Sequence, residues 1–195
     1  MRMQVPGPWP VRRMNGLRIN NKEGFVMKKN VLIFAFVSCL VMSQTVFAAV
    51  EDDLRTMMTD ARGASDFGEF DQALAFCNQA IQIKSDFPEA YALRSQAKAA
   101  LEDMDGAKAD AQKAIELAPG DKSIHPAYYV QAVIAFDGSA EPAKALEFIS
   151  KAIELTSAAP LSEYYDLRAE IYKTMGKQDL ADADQAKSDE IMGGH

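Results

Sequence analysis

The side chains best suited to nucleophilic, general-base or zinc chemistry occur only as Cys39, Cys77, His125 and His195. A zinc site wants three or four such ligands converging, and this set is too sparse to supply them. Cys77 follows Ala73 by one turn on an Ala-rich helical stretch with no histidine near it in the pattern, which predicts a buried, inert thiol rather than a nucleophile. His125 stands in a connector just before Pro126 and is expected to face solvent, and His195, the last residue, to fray. The run Glu102-Asp103-Met104-Asp105-Gly106 has the acidity of a calcium loop. Leu101 and Gln112, however, fall where the first and last oxygen ligands must stand, so the run reads as a connection between helices. The signatures GxSxG, HExxH, GxxxxGK[ST] and GxGxxG are absent. The expectation is a non-catalytic chain with no cofactor and no metal. Tyr128-Tyr129 and Tyr164-Tyr165 offer aromatic contact surface, with at least one of each pair in the core.

The elements that would position these residues are repeats. Four segments align: FDQALAFCNQAIQIKSD (70–86), MDGAKADAQKAIELAPG (104–120), PAKALEFISKAIELTSA (142–158) and the weaker QDLADADQAKSDEI (178–191). Their anchoring alanines Ala73, Ala107, Ala145 and Ala181 are spaced by 34, 38 and 36 residues. In the first three, a second alanine follows seven residues on, at Ala80, Ala114 and Ala152. Positions i and i+7 share a helix face, and side chains this small let a neighbouring helix approach closely. A second helical stretch precedes each anchor, at 54–67, 88–101, 126–136 and 162–175. Gly68 and Gly176 fall in the turns between the two helices of a pair, where a positive φ is cheap. Pro88, Pro119, Pro126 and Pro160 mark helix starts or ends.

With these residues the chain resembles the tetratricopeptide-repeat family. The first unit, 54–87, supplies Ala61, Gly68, Phe70, Ala73 and Ala80 at the places the repeat pattern asks for, and the second, 88–121, supplies Tyr91, Ser95, Ala107, Ala114 and Pro119. The second departs at Glu102, where the pattern has Gly. The third, 126–159, keeps Tyr129, Ala145 and Ala152; the fourth, 162–195, keeps Ala169, Gly176 and Ala181 and then loses the pattern at Ser188, as a capping unit does. The resemblance implies an all-α fold, a right-handed superhelical stack of antiparallel helix pairs of about four repeats with a concave face. It further implies a groove lined by Arg55, Met58 and Arg62 in the first unit, Gln96 and Ala99 in the second, Val130 and Ile134 in the third, and Asp166 and Glu170 in the fourth. Such a groove runs from basic through apolar to acidic, which fits a peptide with an acidic end and an apolar middle. The lysine and asparagine clamp with which part of the family holds a terminal carboxylate is missing as a set.

Charge and the N-terminal segment bound the partner. The chain carries 21 basic and 28 acidic groups, a net charge of −7, and residues 49–195 hold 14 of the basic and 27 of the acidic ones, a charge of −13. That balance excludes a phosphate-backbone footprint, and hence nucleic acid. Hydrophobic residues make up 48% and charged ones 25%, an ordinary globular ratio. Lys28-Lys29, the apolar run from Val31 to about Val41 and Val46-Phe47-Ala48 have the order of a secretory leader starting at Met27 and cleaved after Ala48. The run is shorter and more polar than a membrane span. Residues 1–26 match no part of a leader and read as untranslated sequence upstream of Met27, leaving 49–195 as the working domain. The expected location is periplasmic or secreted. Lipid attachment through Cys39 is the lesser alternative, because Phe36 stands where leucine is usual. The expected role is a protein-binding module or assembly scaffold of the bacterial envelope with a protein or peptide partner. The alternative is an accessory subunit of an envelope enzyme or secretion complex, and self-association stays open.

Overall fold

The computed structural model describes residues 46–138 and 140–193. Residues 1–26, residues 27–45 of the expected leader with Cys39, and His195 lie outside the described residues. Among the described residues are eight α-helices and no strand. They are α1 (46–66), α2 (Phe70–Ile83), α3 (Pro88–Ala100), α4 (Met104–Leu117), α5 (His125–Val133), α6 (Pro142–Leu155), α7 (Ser162–Thr174) and α8 (Gln178–Gly193). The part of α1 from Val50 onward belongs to the compact unit Val50–His195. No helix among the described residues is long and apolar enough to cross a membrane.

The repeating alanines decide how closely the helices pack. Ala73, Ala107, Ala145 and Ala181, and seven residues on Ala80, Ala114, Ala152 and Ser188, are all fully buried. Ser188, read above as the point where the fourth unit loses the pattern, therefore fills the same place as the three alanines. The fourth unit is a complete helix pair, with α7 packed on α8. Leu54, Met58 and Ala61 of α1 close against Cys77 and Ala80 of α2 and Ala90 and Leu93 of α3. A larger cluster runs from Ala92 on α3 through Ala111, Val130 and Ile149 to Tyr164 and Ile171 on α7, so each pair is buried by its neighbours.

The turns inside the pairs share one backbone device. Gly68, Glu102 and Gly176 take φ of +76°, +66° and +71°, and Ala140, at the same place in the third unit, takes +50°. After the first three the next N–H reaches back five residues, Glu69 to the Ala64 carbonyl, Asp103 to Lys98 and Lys177 to Tyr172, at 2.8–2.9 Å. The third unit differs from the expected uninterrupted helix. Its first helix ends in a π-turn over Ile134–Gly138, and Glu141 reaches back six residues to Ala135. Each residue of a π-turn takes in extra backbone per hydrogen bond, so the closing contact falls one residue further back.

Glu102 holds a conformation that costs a side-chain-bearing residue about 1 kcal/mol. Glu102→Gly is expected to raise stability by about that much, less the entropy glycine adds to the unfolded chain, as read from urea unfolding midpoints. A lower midpoint would show that Glu102 makes a stabilising contact of its own. Next to it, the acidic run has a structural duty: the Asp103 carboxylate accepts the Gly106 N–H at 3.0 Å and caps α4. A Cβ on Gly106 would meet that carboxylate at 2.1 Å.

Candidate functional site

A cavity of about 750 Å³ opens between the first and last helix pairs. The C-terminal turn of α1 gives it Arg62, Ser65 and Asp66, α3 gives Leu93 and Gln96, and the start of α2 gives Phe70. The connector before α5 gives Lys122 and His125, the segment from Leu155 to Leu161 closes another side, and Glu163 and Tyr164 of α7 complete the wall. The floor is apolar, through Phe70, Leu93, Pro126, Leu155 and Leu161, and the charges stand at the rim.

His125 corrects the expectation of a solvent-facing loop residue. It starts α5, and its Nδ1 lies 2.6 Å from the Tyr164 hydroxyl. Burial raises the tyrosine pKa, with the Glu163 charge adding to it, so the hydroxyl keeps its proton and donates to an unprotonated Nδ1. Burial first, and the Arg62 charge second, push the His125 pKa down to about 4. The Tyr129 ring stacks on Tyr164 with centroids 4.8 Å apart, tying α5 to α7 behind the cavity. Tyr128 and Tyr164 are the core members of the two tyrosine pairs.

The rim is electrostatically uneven. Arg62 is paired with Glu89 of α3, so its charge is partly answered. Asp66 and Glu163 have no hydrogen-bond or ion-pair partner among the described residues. The Glu163 carboxyl pKa is raised by desolvation, then by the charges of Asp66 and Asp166. Asp166 accepts one amide hydrogen bond, from Gln185 Nε2 at 3.2 Å.

Of the residues carried over for the groove, Arg62 and Gln96 line this cavity. Arg55, Met58 and Arg62 border a smaller pocket of about 220 Å³ beside Phe87 and Glu89. Met58 and Val130 are each 2% exposed, so they brace the wall from the core instead of presenting a surface to a ligand. Ala99 and Ile134 are half-buried and pack on the main core, Ile134 within the π-turn. Asp166 is half-buried and Glu170 exposed on α7. Cys77 is fully buried, and burial pushes its thiol up to about 12, an inert packing residue. No group of three or more His, Cys, Asp or Glu among the described residues is placed to hold a metal ion.

Residues 88–121, the α3/α4 pair with its flanking turn, match the family model described as tetratricopeptide repeat. That pair is a tetratricopeptide repeat, and the chain has the fold of a tetratricopeptide-repeat stack. Solved structures with the same fold include MamA, at 21% identity and a TM-score of 0.52, covering 77% of this chain and 85% of that one. A thermophilic TPR protein of Thermus thermophilus is similar at 20% identity and a TM-score of 0.55, covering 69% of this chain and 72% of its own. YrrB, titled a TPR protein with an unusual peptide-binding site, is similar at 22% identity and a TM-score of 0.50, with 71% and 69% covered. No curated protein matches the chain in sequence.

Set against a 34-residue tetratricopeptide repeat, several of the lining residues that groove positions alone did not find belong to the insertions. Lys122 and His125 sit in the four residues between the second and third units, and Ala158, Ala159 and Leu161 sit in or beside the gap before the fourth. The alanine spacings of 38 and 36 marked both places in the sequence. A second set was also missed. Arg94 with Asp110, and Arg168 with Asp184, stand at matching places in the second and fourth units, and each arginine grips its aspartate with two bonds of 2.7 Å between the helices of a pair.

Proposed function

We propose that the chain is a non-catalytic binding module or assembly scaffold of the cell envelope that holds an extended peptide or a partner's helix in its concave groove. The observation that carries this reading is the cavity of about 750 Å³, with an apolar floor and a charged rim contributed by all four helix pairs. Its size and lining suit several side chains of a peptide rather than a single ion. The peptide-binding site named for YrrB, a protein of the same fold, supports that use of the surface. Support for the envelope comes from the leader at 27–48. Pre-formed helix surfaces limit the ordering cost to the peptide.

The test is capture from an envelope extract by the protein, by an Ala159→Trp variant and by a Lys151→Glu variant. Ala159 is exposed at the cavity edge, so tryptophan there fills the groove without disturbing the core, while Lys151 lies on α6 at a separate pocket. A partner retained by the parent and by Lys151→Glu but lost from Ala159→Trp is the expected result. Equal capture by all three would move the binding surface elsewhere.

A further inference from the structure

The charges around the cavity do not balance at one end. Arg62 is committed to Glu89, and the groups acting on Glu163 are Asp66 and Asp166, both of its own sign. Lys122 lines the cavity from the turn before α5 and is not among them. Asp66 comes from the first helix pair and Glu163 from the fourth, so superhelical curvature sets in the wall of one cavity two carboxylates 97 residues apart in sequence. Both lack a partner among the described residues, the charge of Asp66 acts on Glu163, and a cation between them would replace that repulsion with attraction to both. Tyr129, half-buried and stacked on Tyr164 behind the cavity, feels the charges of Glu163, Asp137 and Asp166, so the acidity of this end extends beyond the lining residues. The apolar floor beneath, with Phe70, Leu93 and Leu155, is suited to the residues on either side of that cation.

We propose that the groove takes an extended peptide segment with a lysine or arginine set between Asp66 and Glu163 and its neighbouring apolar side chains on the floor of the cavity. This rests on the groove being the binding surface and adds the chemistry of what occupies it. It reverses the preference suggested by the basic end of the groove, because Glu89 already pairs with Arg62 there.

The experiment measures fluorescence anisotropy of the protein with three labelled ten-residue peptides of leucine and alanine, alike except for a central Arg, Gln or Glu. The Arg peptide is expected to bind about tenfold more tightly than the Glu peptide, with the Gln peptide between them. The difference should shrink at about 0.5 M salt, where exposed charges are screened. It should disappear in the Asp66→Asn, Glu163→Gln double variant, whose two sites are exposed and leave the core intact. Binding of the Arg peptide must also be lost in Ala159→Trp; survival there would assign the attraction to the overall acidity of the chain and overturn the proposal. Equal affinity for all three peptides, or preference for Glu, would overturn the charge assignment and leave the groove standing. No binding of any of them would overturn the groove reading as well.

Discussion

Arg168→Met is expected to destabilise the protein by about 3 kcal/mol, the order seen when one partner of a buried ion pair is removed. Asp184 is 6% exposed, and Arg168 holds it with Nε on Oδ2 and Nη2 on Oδ1, both at 2.7 Å. Arg168 is the only cation paired with that carboxylate among the described residues. The matching site in the second unit gives an internal control. Asp110 is as deeply buried, yet Lys98 Nζ also reaches it at 2.8 Å, so Arg94→Met leaves one positive partner in place. The loss at Arg94 should therefore be the smaller of the two, despite the additional bond from Arg94 Nη1 to Asn78. Urea unfolding of the two variants compares them directly. Adding Asp184→Leu to Arg168→Met should restore most of the loss, because the cost arises from the stranded charge and not from the missing arginine. A double variant no more stable than the single one would refute that cause.

Stability should also fall as the pH drops from about 6.5 towards 4, with His125 responsible. Its imidazole is held neutral in the folded protein down to about pH 4, against 6.5 for a free side chain. Between those values the unfolded chain binds a proton that the folded one refuses, so acid favours unfolding. The contribution is fully present above pH 6.5 and is lost through the window, by about 3 kcal/mol if the whole shift is realised. Glu163 works in the opposite direction. Its raised carboxyl binds a proton more readily when folded, so it gains stability as the pH falls. Asp121, lowered by the Ser123 backbone N–H and then by the Ser123 hydroxyl, adds a small loss at the acid end. Comparing the protein with His125→Gln separates these terms, since glutamine can still accept from Tyr164 but does not titrate. The parent should lose more stability than the variant between pH 7 and 4.5. Parallel curves would show that His125 is solvated well enough to take its proton without unfolding.

The tyrosines illustrate how far local pattern reaches. That one of each pair would be core followed from helical periodicity, and Tyr128 and Tyr164 are buried. Which residue Tyr164 would meet did not follow, because His125 is 39 residues away and comes into reach only when α5 and α7 are stacked. Met58 and Val130 mark the limit of carrying groove places across a family. In the third unit Val130 packs into the main core, and in the first unit Met58 sits under the contact of α1 with α2 and α3. Arg62 on α1 and Gln96 on α3 land on the cavity wall as the pattern implied.

The sequence by itself determined the helix pairs, their number and the small residues at their crossings, because these depend on propensity, on turn chemistry and on a period that recurs within about 34 residues. It also showed Cys77 to be a packing residue, since its neighbours in the pattern are alanines and apolar side chains. Only the tertiary structure decided which charges are spent and which are open. Arg62 finds Glu89 on the next pair, and Asp66 comes to line one cavity with Glu163 three units away, through the accumulated rotation of each helix pair on the one before. That rotation is set by side-chain packing at every interface and by the two insertions, and it sums small angles over the whole stack, which no local window of sequence contains.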